Sequence, residues 1–229
     1  MKSHMKRIAM PKSWATKEKK SLKFIIRPKP GAHSFEEGLP LAVLLRDMLN
    51  LAKTNREVKS ILNNKEILVD GKRRKDRKFL VGLMDVVSIP DLKENFRMIM
   101  NKYGKLQLIK IDEKESKLKP CKIIGKRQVG KKTQLNLSDG RNILVDKDVY
   151  KIKDTVVIEL PEQKLKDHLK FEKGSIVYIT SGKQIGEVGR LKEMKDGTVI
   201  IETKKGLFET LKDFCFVIGN EKPIIELEK

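Results

Sequence analysis

Two cysteines in 229 residues, Cys121 and Cys215, stand far apart with no CxxC spacing. That excludes a disulfide framework and a zinc ribbon. Histidine is as scarce: His4, His33 and His168 are scattered, and no GxSxG, HExxH or paired-ligand spacing accompanies them. Hydrolase and metalloenzyme chemistry therefore has no candidate constellation, and neither a cofactor nor a metal is expected. No uninterrupted apolar run approaches the ~20 residues that span a bilayer, and the first residues lack the apolar core of a signal peptide. Nor does a basic amphipathic helix or a lipidation signal stand beside a polybasic run, so a cytoplasmic protein without membrane attachment is expected. A nucleotide-binding loop is also missing, because Lys183 is followed by Gln184 and Val177 stands five residues before Gly182. Asp70, ahead of Gly71, reads as a turn residue rather than a catalytic one, and Asp85 as a sheet residue or the partner of a cation.

What the chain has instead is positive charge. Its 51 basic and 31 acidic side chains leave +20, and charged residues make up 36% of the whole, well above about a quarter for a typical domain. Such an excess opposes compaction by self-repulsion, and a polyanionic partner accounts for it. The 39% hydrophobic share still allows a core, in one large domain or two to three small ones. Residues 1–30 hold Lys2, Lys6, Arg7, Lys12, Lys17, Lys19, Lys20, Lys23, Arg27 and Lys29 against Glu18 alone. With three prolines and little periodicity, this segment is expected to be largely extended and to lack a core of its own. It reads either as a solubilising tail or as an arm that orders on nucleic acid, its cations meeting phosphates while Trp14 stacks or fills a pocket.

The stretch from Leu41 to Ile89 has the strongest local pattern. Leu41, Leu44, Leu45, Met48 and Ala52 recur at helical spacing, which predicts a helix over 41–52. Thr54 followed by Glu57 is a capping-box pair ahead of Val58, Ile61 and Leu62, and predicts a second helix. Ser34 with Glu37 is a further possible capping box, with Pro40 suited to a first helical turn. The alternation of residues 67–71, the run KRRKDRK at 72–78 and the strand pattern of 82–89 then form a short sheet fed through a basic connection. Pro90 is expected to break that sheet.

From Phe96 onward the pattern is one of short alternating strands, with Asp139 and Gly140 marking a hairpin turn between 133–137 and 142–145. From Phe171, glycines punctuate a further set of strands, which predicts a compact SH3-like barrel. The expected fold class is α+β. Its parts are a basic arm (1–36), a helix-helix-sheet module (37–94), a central all-β domain (95–170) and the barrel with its tail (171–229).

The KRRKDRK run supplies Lys72, Arg73, Arg74, Lys75, Arg77 and Lys78 as candidate phosphate contacts, weighed against a merely solvated loop. Arg46, Lys53, Arg56 and Lys59 decorate the helical pair. Five Gly-Lys dipeptides, at Gly71, Gly104, Gly125, Gly130 and Gly182, can bring backbone and cation close to a ligand. They place Lys126, Arg127, Lys131, Lys132 and Lys183 in the same candidate set.

TNREVKSIL, ILVDGK and GLMDVVSI resemble the helix-helix-sheet RNA-binding module named after bacterial small-subunit ribosomal protein S-four. GSIVYITSGKQIGEVG resembles the KOW motif, an RNA- and protein-binding barrel element with Gly182, Gly186 and Gly189 as its structural glycines. In this order, behind an arm reading KRIAMPKSW, they closely resemble the S-four-e family of archaeal and eukaryotic small-subunit ribosomal proteins over essentially the whole chain. The resemblance implies that Arg46, Thr54, Arg56, Lys59 and the 72–78 run face RNA and that Lys6, Arg7, Lys12 and Trp14 lie in an arm along it. It also implies ribosomal RNA and neighbouring ribosomal proteins as partners, with no membrane and no small-molecule substrate. Lys65 departs from the glycine that many such modules carry before the ILVDG strand. The short segment after FCFVIG, without a basic extension, favours an archaeal source. The function implied is structural and non-enzymatic: neutralising packed phosphates on the ribosome, with specificity taken from RNA shape. The alternatives are an RNA-modifying enzyme of the pseudouridine-synthase type and a free transcription or translation factor using the KOW element.

Overall fold

The computed structural model describes residues 4–16, 22–146, 148–203, 205–220 and 222–225. Lys2, Lys17, Lys19 and Lys20 of the expected arm lie outside the described residues. The chain is α+β with strands in large excess, and it divides into two compact units.

The first unit comprises residues 1–100 and 105–117. Its elements are β1 (Met5–Lys6), β2 (Phe24–Ile25), β3 (Gly38–Pro40), α1 (Leu41–Val43), α2 (Asn55–Asn64), β4 (Leu68–Val69), β5 (Lys72–Arg73), β6 (Leu80–Gly82), β7 (Val86–Ile89), β8 (Glu94–Met100), β9 (Leu106–Ile111) and the single turn α3 (Glu113–Ser116). An antiparallel sheet runs in the order β5-β4-β7-β8-β9, while β1 pairs with β2 and β3 with β6.

Four expectations are corrected here. The helix over 41–52 shortens to α1 and one wide π-type turn, Leu44–Met48, because Leu41 to Leu45 are all buried and Asn50 turns the chain back with φ 55°. With burial on every side, the apolar spacing there is not the signature of a one-sided helix. Ser34 does accept the Glu37 amide at 3.2 Å, but only a turn follows, and Pro40 ends β3 with ψ 140° instead of opening a helical turn. Pro90 does not end the sheet. A 3-10 turn, Pro90–Leu92, closes on Lys93 at φ 52°, and β8 returns to pair with β7 in the register Val87↔Phe96. The ladder thus crosses the expected boundary at 94/95, since an unpaired β7 would leave a row of backbone groups without partners.

The fourth correction concerns the arm. Trp14 is 2% exposed and donates its indole N–H to the Gly38 carbonyl at 2.9 Å, and Met10 and Ile25 are buried with it. The Leu106 amide reaches the Ser13 carbonyl at 2.7 Å, and the Lys29 amide that of Lys78 at 3.0 Å. These apolar anchors and backbone bonds hold the described part of the segment on the unit, so it is not a free extended arm.

The second unit comprises residues 101–104 and 118–229. Its strands are β10 (Leu118–Val129), β11 (Lys132–Leu137), β12 (Asn142–Val145), β13 (Thr155–Glu159), β14 (Lys164–Leu169), β15 (Ile176–Ile179), β16 (Val188–Met194), β17 (Thr198–Thr203), β18 (Gly206–Leu211) and β19 (Cys215–Gly219). They form two antiparallel sheets, ordered β12-β11-β10-β13-β14 and β18-β17-β16-β15-β19. Asp139 and Gly140, the latter at φ 73°, make the hairpin turn between β11 and β12. One cluster, built on Ile123, Leu135 and Val156, fills the first sheet; another joins Val157 and Leu169 to Val177, Ile179, Leu191 and Val217 of the second. Inside the first sheet the Lys119 ammonium sits 3.1 Å from Asp139, with both side chains at most 3% exposed and Arg141 Nε 3.3 Å away. Burial works to raise the Asp139 pKa, but Lys119 and Arg141 outweigh it and hold the carboxyl below its ordinary range.

Candidate nucleic-acid interface

The sequence NREVKSILNN makes α2 one-sided: Val58 and Leu62 are buried, and Arg56 and Lys59 are exposed. Its start is fixed by the Thr54 hydroxyl, which accepts the Glu57 amide at 3.3 Å, while the Glu57 carboxylate accepts the Lys53 amide at 2.8 Å. The Lys53 amide first, and next the Thr54 hydroxyl, which also donates to that carboxylate at 2.9 Å, hold the Glu57 carboxyl below its usual pKa. At the far end Lys65 caps the helix with φ −108° and ψ 160°. This is extended backbone that any residue adopts, so lysine serves there without the strain that would call for glycine. Arg73 closes the same end, its Nη2 donating to the carbonyls of Asn63 at 3.1 Å and Lys65 at 3.4 Å. An arginine at a helix C-terminus satisfies orphan carbonyls and meets the negative end of the helix dipole.

The 72–78 run leaves β4 through the turn at Asp70 and Gly71 (φ 51° and 72°) and enters the edge strand β5. Lys72, Arg73, Lys75 and Arg77 are exposed, and Lys78 is partly so. Arg74 lies over the Phe79 ring, 4.3 Å from its centroid. Asp76 pairs with Lys29 and accepts the Lys78 amide at 2.9 Å. Burial pushes that carboxyl up, yet the Lys29 and Lys78 contacts win and its pKa is lowered. Lys72, Lys75, Arg77, Arg56 and Lys59 are ion-paired to no carboxylate among the described residues. They make up a cationic strip in sequence order: Arg56 and Lys59 on the outer face of α2, Lys72 on the edge strand β5 that Arg73 ties to the end of α2, and Lys75 and Arg77 on the loop and turn beyond it.

Other candidates are placed differently. Arg46 is occupied: Nε and Nη2 fork onto Asp47 at 2.6 and 2.9 Å, and Nη1 reaches Asn55 at 3.2 Å. The Asp47 hydrogen bond raises its pKa, and its fork is not turned to solvent. Arg7, 4% exposed, packs with its Nη2 3.9 Å from Asp47, so Arg7 and Trp14 belong to the interior rather than to an outward face. Lys6, Lys12 and Lys53 are exposed, and Arg27 is half-buried. In the second unit Lys126 is held by Asp148, and Lys132 is 3.0 Å from Asp146. Arg127, Lys131 and Lys183 remain exposed. Of the glycines, Gly182 and Gly186 take φ 95° and 79°, and a side chain on Gly189 would meet Ile201 at 2.5 Å. Asp85, buried, accepts the Gly82 amide at 2.8 Å and lies 3.0 Å from His33 Nε2.

Residues 92–165 match the family model "Ribosomal family S4e", and residues 1–36 match the RS4NT (NUC023) domain. A small ribosomal subunit protein eS4 from Methanosphaera stadtmanae is 45% identical over 233 residues, covering 99% of this chain and 96% of the relative. The chain belongs to the S4e family of ribosomal proteins. The eS4 protein of Methanocaldococcus jannaschii is 43% identical, with 99% of this chain and 98% of the relative covered. The crystal structure of the 30S ribosomal protein S4e from Thermoplasma acidophilum superposes with a TM-score of 0.70 at 33% identity, over 80% of this chain and 96% of that one.

Some features of this S4e chain have no counterpart among the residues singled out from sequence. In the second unit Lys170, Lys173 and Arg190 line a cleft of about 360 Å³ with Glu172 and Asn220, and none of the three cations is ion-paired among the described residues. They are separated by up to twenty positions, so no local charge run announces them. The other is Tyr103, which has the largest exposure of any large apolar or aromatic side chain described, 87%.

Proposed function

We infer that this chain is a structural constituent of the small ribosomal subunit, not an enzyme, and that it binds small-subunit ribosomal RNA by neutralising phosphates and fitting RNA shape. The carrying observation is the set of cations without carboxylate partners among the described residues of a +20 chain: Arg56 and Lys59 on α2, Lys72 on the edge strand β5, and Lys75 and Arg77 on the loop and turn that follow it. Guanidinium and ammonium groups so placed, without competing carboxylates, suit closely spaced phosphates, which fix position and carry little base information. Lys6, Lys12 and Lys53 extend the same reading. Arg127, Lys131 and Lys183, with the cleft of Lys170, Lys173 and Arg190, give the second unit a weaker share. The β15–β19 sheet is taken as the KOW element in an SH3-like barrel, with neighbouring ribosomal proteins as further partners and the cytoplasmic ribosome as the location.

Replacing Lys72, Lys75 and Arg77 together by Ala tests this. Binding to deproteinised small-subunit ribosomal RNA should weaken for different RNA fragments alike, and the salt slope should flatten by about 2 to 3 for three contacts. An unchanged slope would make the strip a solvated edge that only keeps β5 from pairing with another chain.

A further inference from the structure

Tyr103 sits on a turn built to present it. The Gly104 amide closes onto the Asn101 carbonyl at 2.9 Å with Gly104 at φ 69°, and the Tyr103 amide is held by the Asn101 side chain at 2.9 Å. Within the same unit the turn is pinned from below by Gly186 at φ 79°. A Cβ there would stand 2.5 Å from the Asn101 carbonyl carbon and 2.7 Å from the Lys102 nitrogen, so only glycine admits this backbone approach. A Cβ on Gly104 would be 3.6 Å from Ile185, ordinary contact with the glycine-bearing loop. The phenol ring itself is left 87% exposed. Lys102, next to it, and Lys183, on the loop that carries Gly186, are exposed and ion-paired to no carboxylate among the described residues.

An aromatic ring held out on a fixed turn and left 87% exposed, with exposed cations on the same turn and on the loop beneath it, has the parts of a stacking platform for single-stranded nucleic acid. The ring supplies a π-face that any base can cover, and the lysines meet the flanking phosphates. A fixed turn adds to this because little ordering remains to be done on binding. We propose that Tyr103 stacks on an unpaired base of RNA, with Lys102 and Lys183 contacting the adjoining phosphates and Gly186 seating the turn. This rests on the RNA-binding reading and deepens it by assigning a base contact outside the cationic strip. It also gives Gly186 a task beyond turn geometry: it positions the aromatic.

The test uses the full chain and deproteinised small-subunit ribosomal RNA, comparing the wild type with Tyr103→Phe, Tyr103→Leu and Tyr103→Ala. All four should fold alike, as the side chain is exposed. Stacking predicts that Tyr103→Phe binds as the wild type does, whereas Tyr103→Leu and Tyr103→Ala lose about 5- to 150-fold with the salt slope kept. Irradiation at short wavelength should also join the Tyr103 peptide to a nucleotide. Equal affinity of all four proteins, with no such adduct, overturns the proposal while leaving the cationic strip intact. An adduct on intact subunits to a neighbouring protein instead of RNA overturns it in favour of a protein contact. Failure of the wild type to bind the RNA at all would remove both this proposal and the reading beneath it.

Discussion

In the first unit, Lys72, Lys75 and Arg77 face solvent without a carboxylate, whereas in the second Lys126 and Lys132, on a similar basic hairpin, are each met by an aspartate. The same contrast holds for whole stretches: residues 1–117 carry 28 basic and 14 acidic side chains, and residues 118–229 carry 23 and 17. The first stretch keeps an excess of +14 for a partner, the second only +6. The extreme case is Lys119, buried with Asp139 beside a half-buried Arg141, where a cation fixes the arrangement of a core and is out of reach of any phosphate. A count of lysines therefore says little about an interface until the carboxylates around each one are known.

The largest effect expected of this contrast is on stability. Asp139→Ala removes the buried carboxylate that Lys119 and Arg141 share and should destabilise the protein by about 3–5 kcal/mol in urea unfolding. A loss within the ~0–1 kcal/mol of an exposed pair would mean that the buried network is not a structural lock. The same carboxyl sets a pH dependence. Because its folded pKa lies below the ordinary value of 3.8, its stabilisation is complete above that value and is lost as pH falls through the lower folded one. Unfolding of the wild type should thus become easier on acidification below about pH 4, and Asp139→Asn should show a shallower acid limb.

Next in size is a comparison in RNA affinity. Arg56→Ala with Lys59→Ala should flatten the salt slope by about 1.4 to 1.8, while Lys126→Ala with Lys132→Ala, which removes the same formal charge, should change it by less. Equal changes in the two pairs would erase the distinction between free and paired cations. The smallest effect is local: Thr54→Ala removes the cap of α2 and should cost about 1 kcal/mol in thermal or urea unfolding. RNA affinity should fall with it only so far as α2 frays, since Arg56 stands in its first turn.

Signals that are local and chemical are legible in the amino-acid sequence alone. The Thr54–Glu57 box, the Asp139–Gly140 hairpin and most β-strands of residues 96–203 follow from side chains that act within four positions of themselves. What stays hidden depends on groups distant in sequence or on burial from all sides. Trp14 finds Gly38 across 24 residues, and nothing near it marks an anchor. Arg46 looks like a surface cation because its helical face is polar, yet the adjacent Asp47 takes both arms of its fork. Pro90 stops a strand as expected, but the turn it begins reverses the chain into the same sheet, which composition alone does not reveal. Of the candidate site, the 72–78 run and the outer face of α2 are visible as charge patterns. Tyr103 carries no such mark, because its exposure on the turn exists only in three dimensions.

The return of β8 onto β7 decides how this chain could be divided. A fragment ending at residue 94 would strip β7 of the ladder from Val86↔Arg97 to Ile89↔Glu94 and bare an apolar strand edge. The shortest piece that keeps the hydrogen-bond ladder of β5-β4-β7-β8-β9 whole runs through β9 to Ile111. In evolutionary terms, the stretch that carries the recognisable pattern, 41–89, is shorter than the body that must be inherited with it.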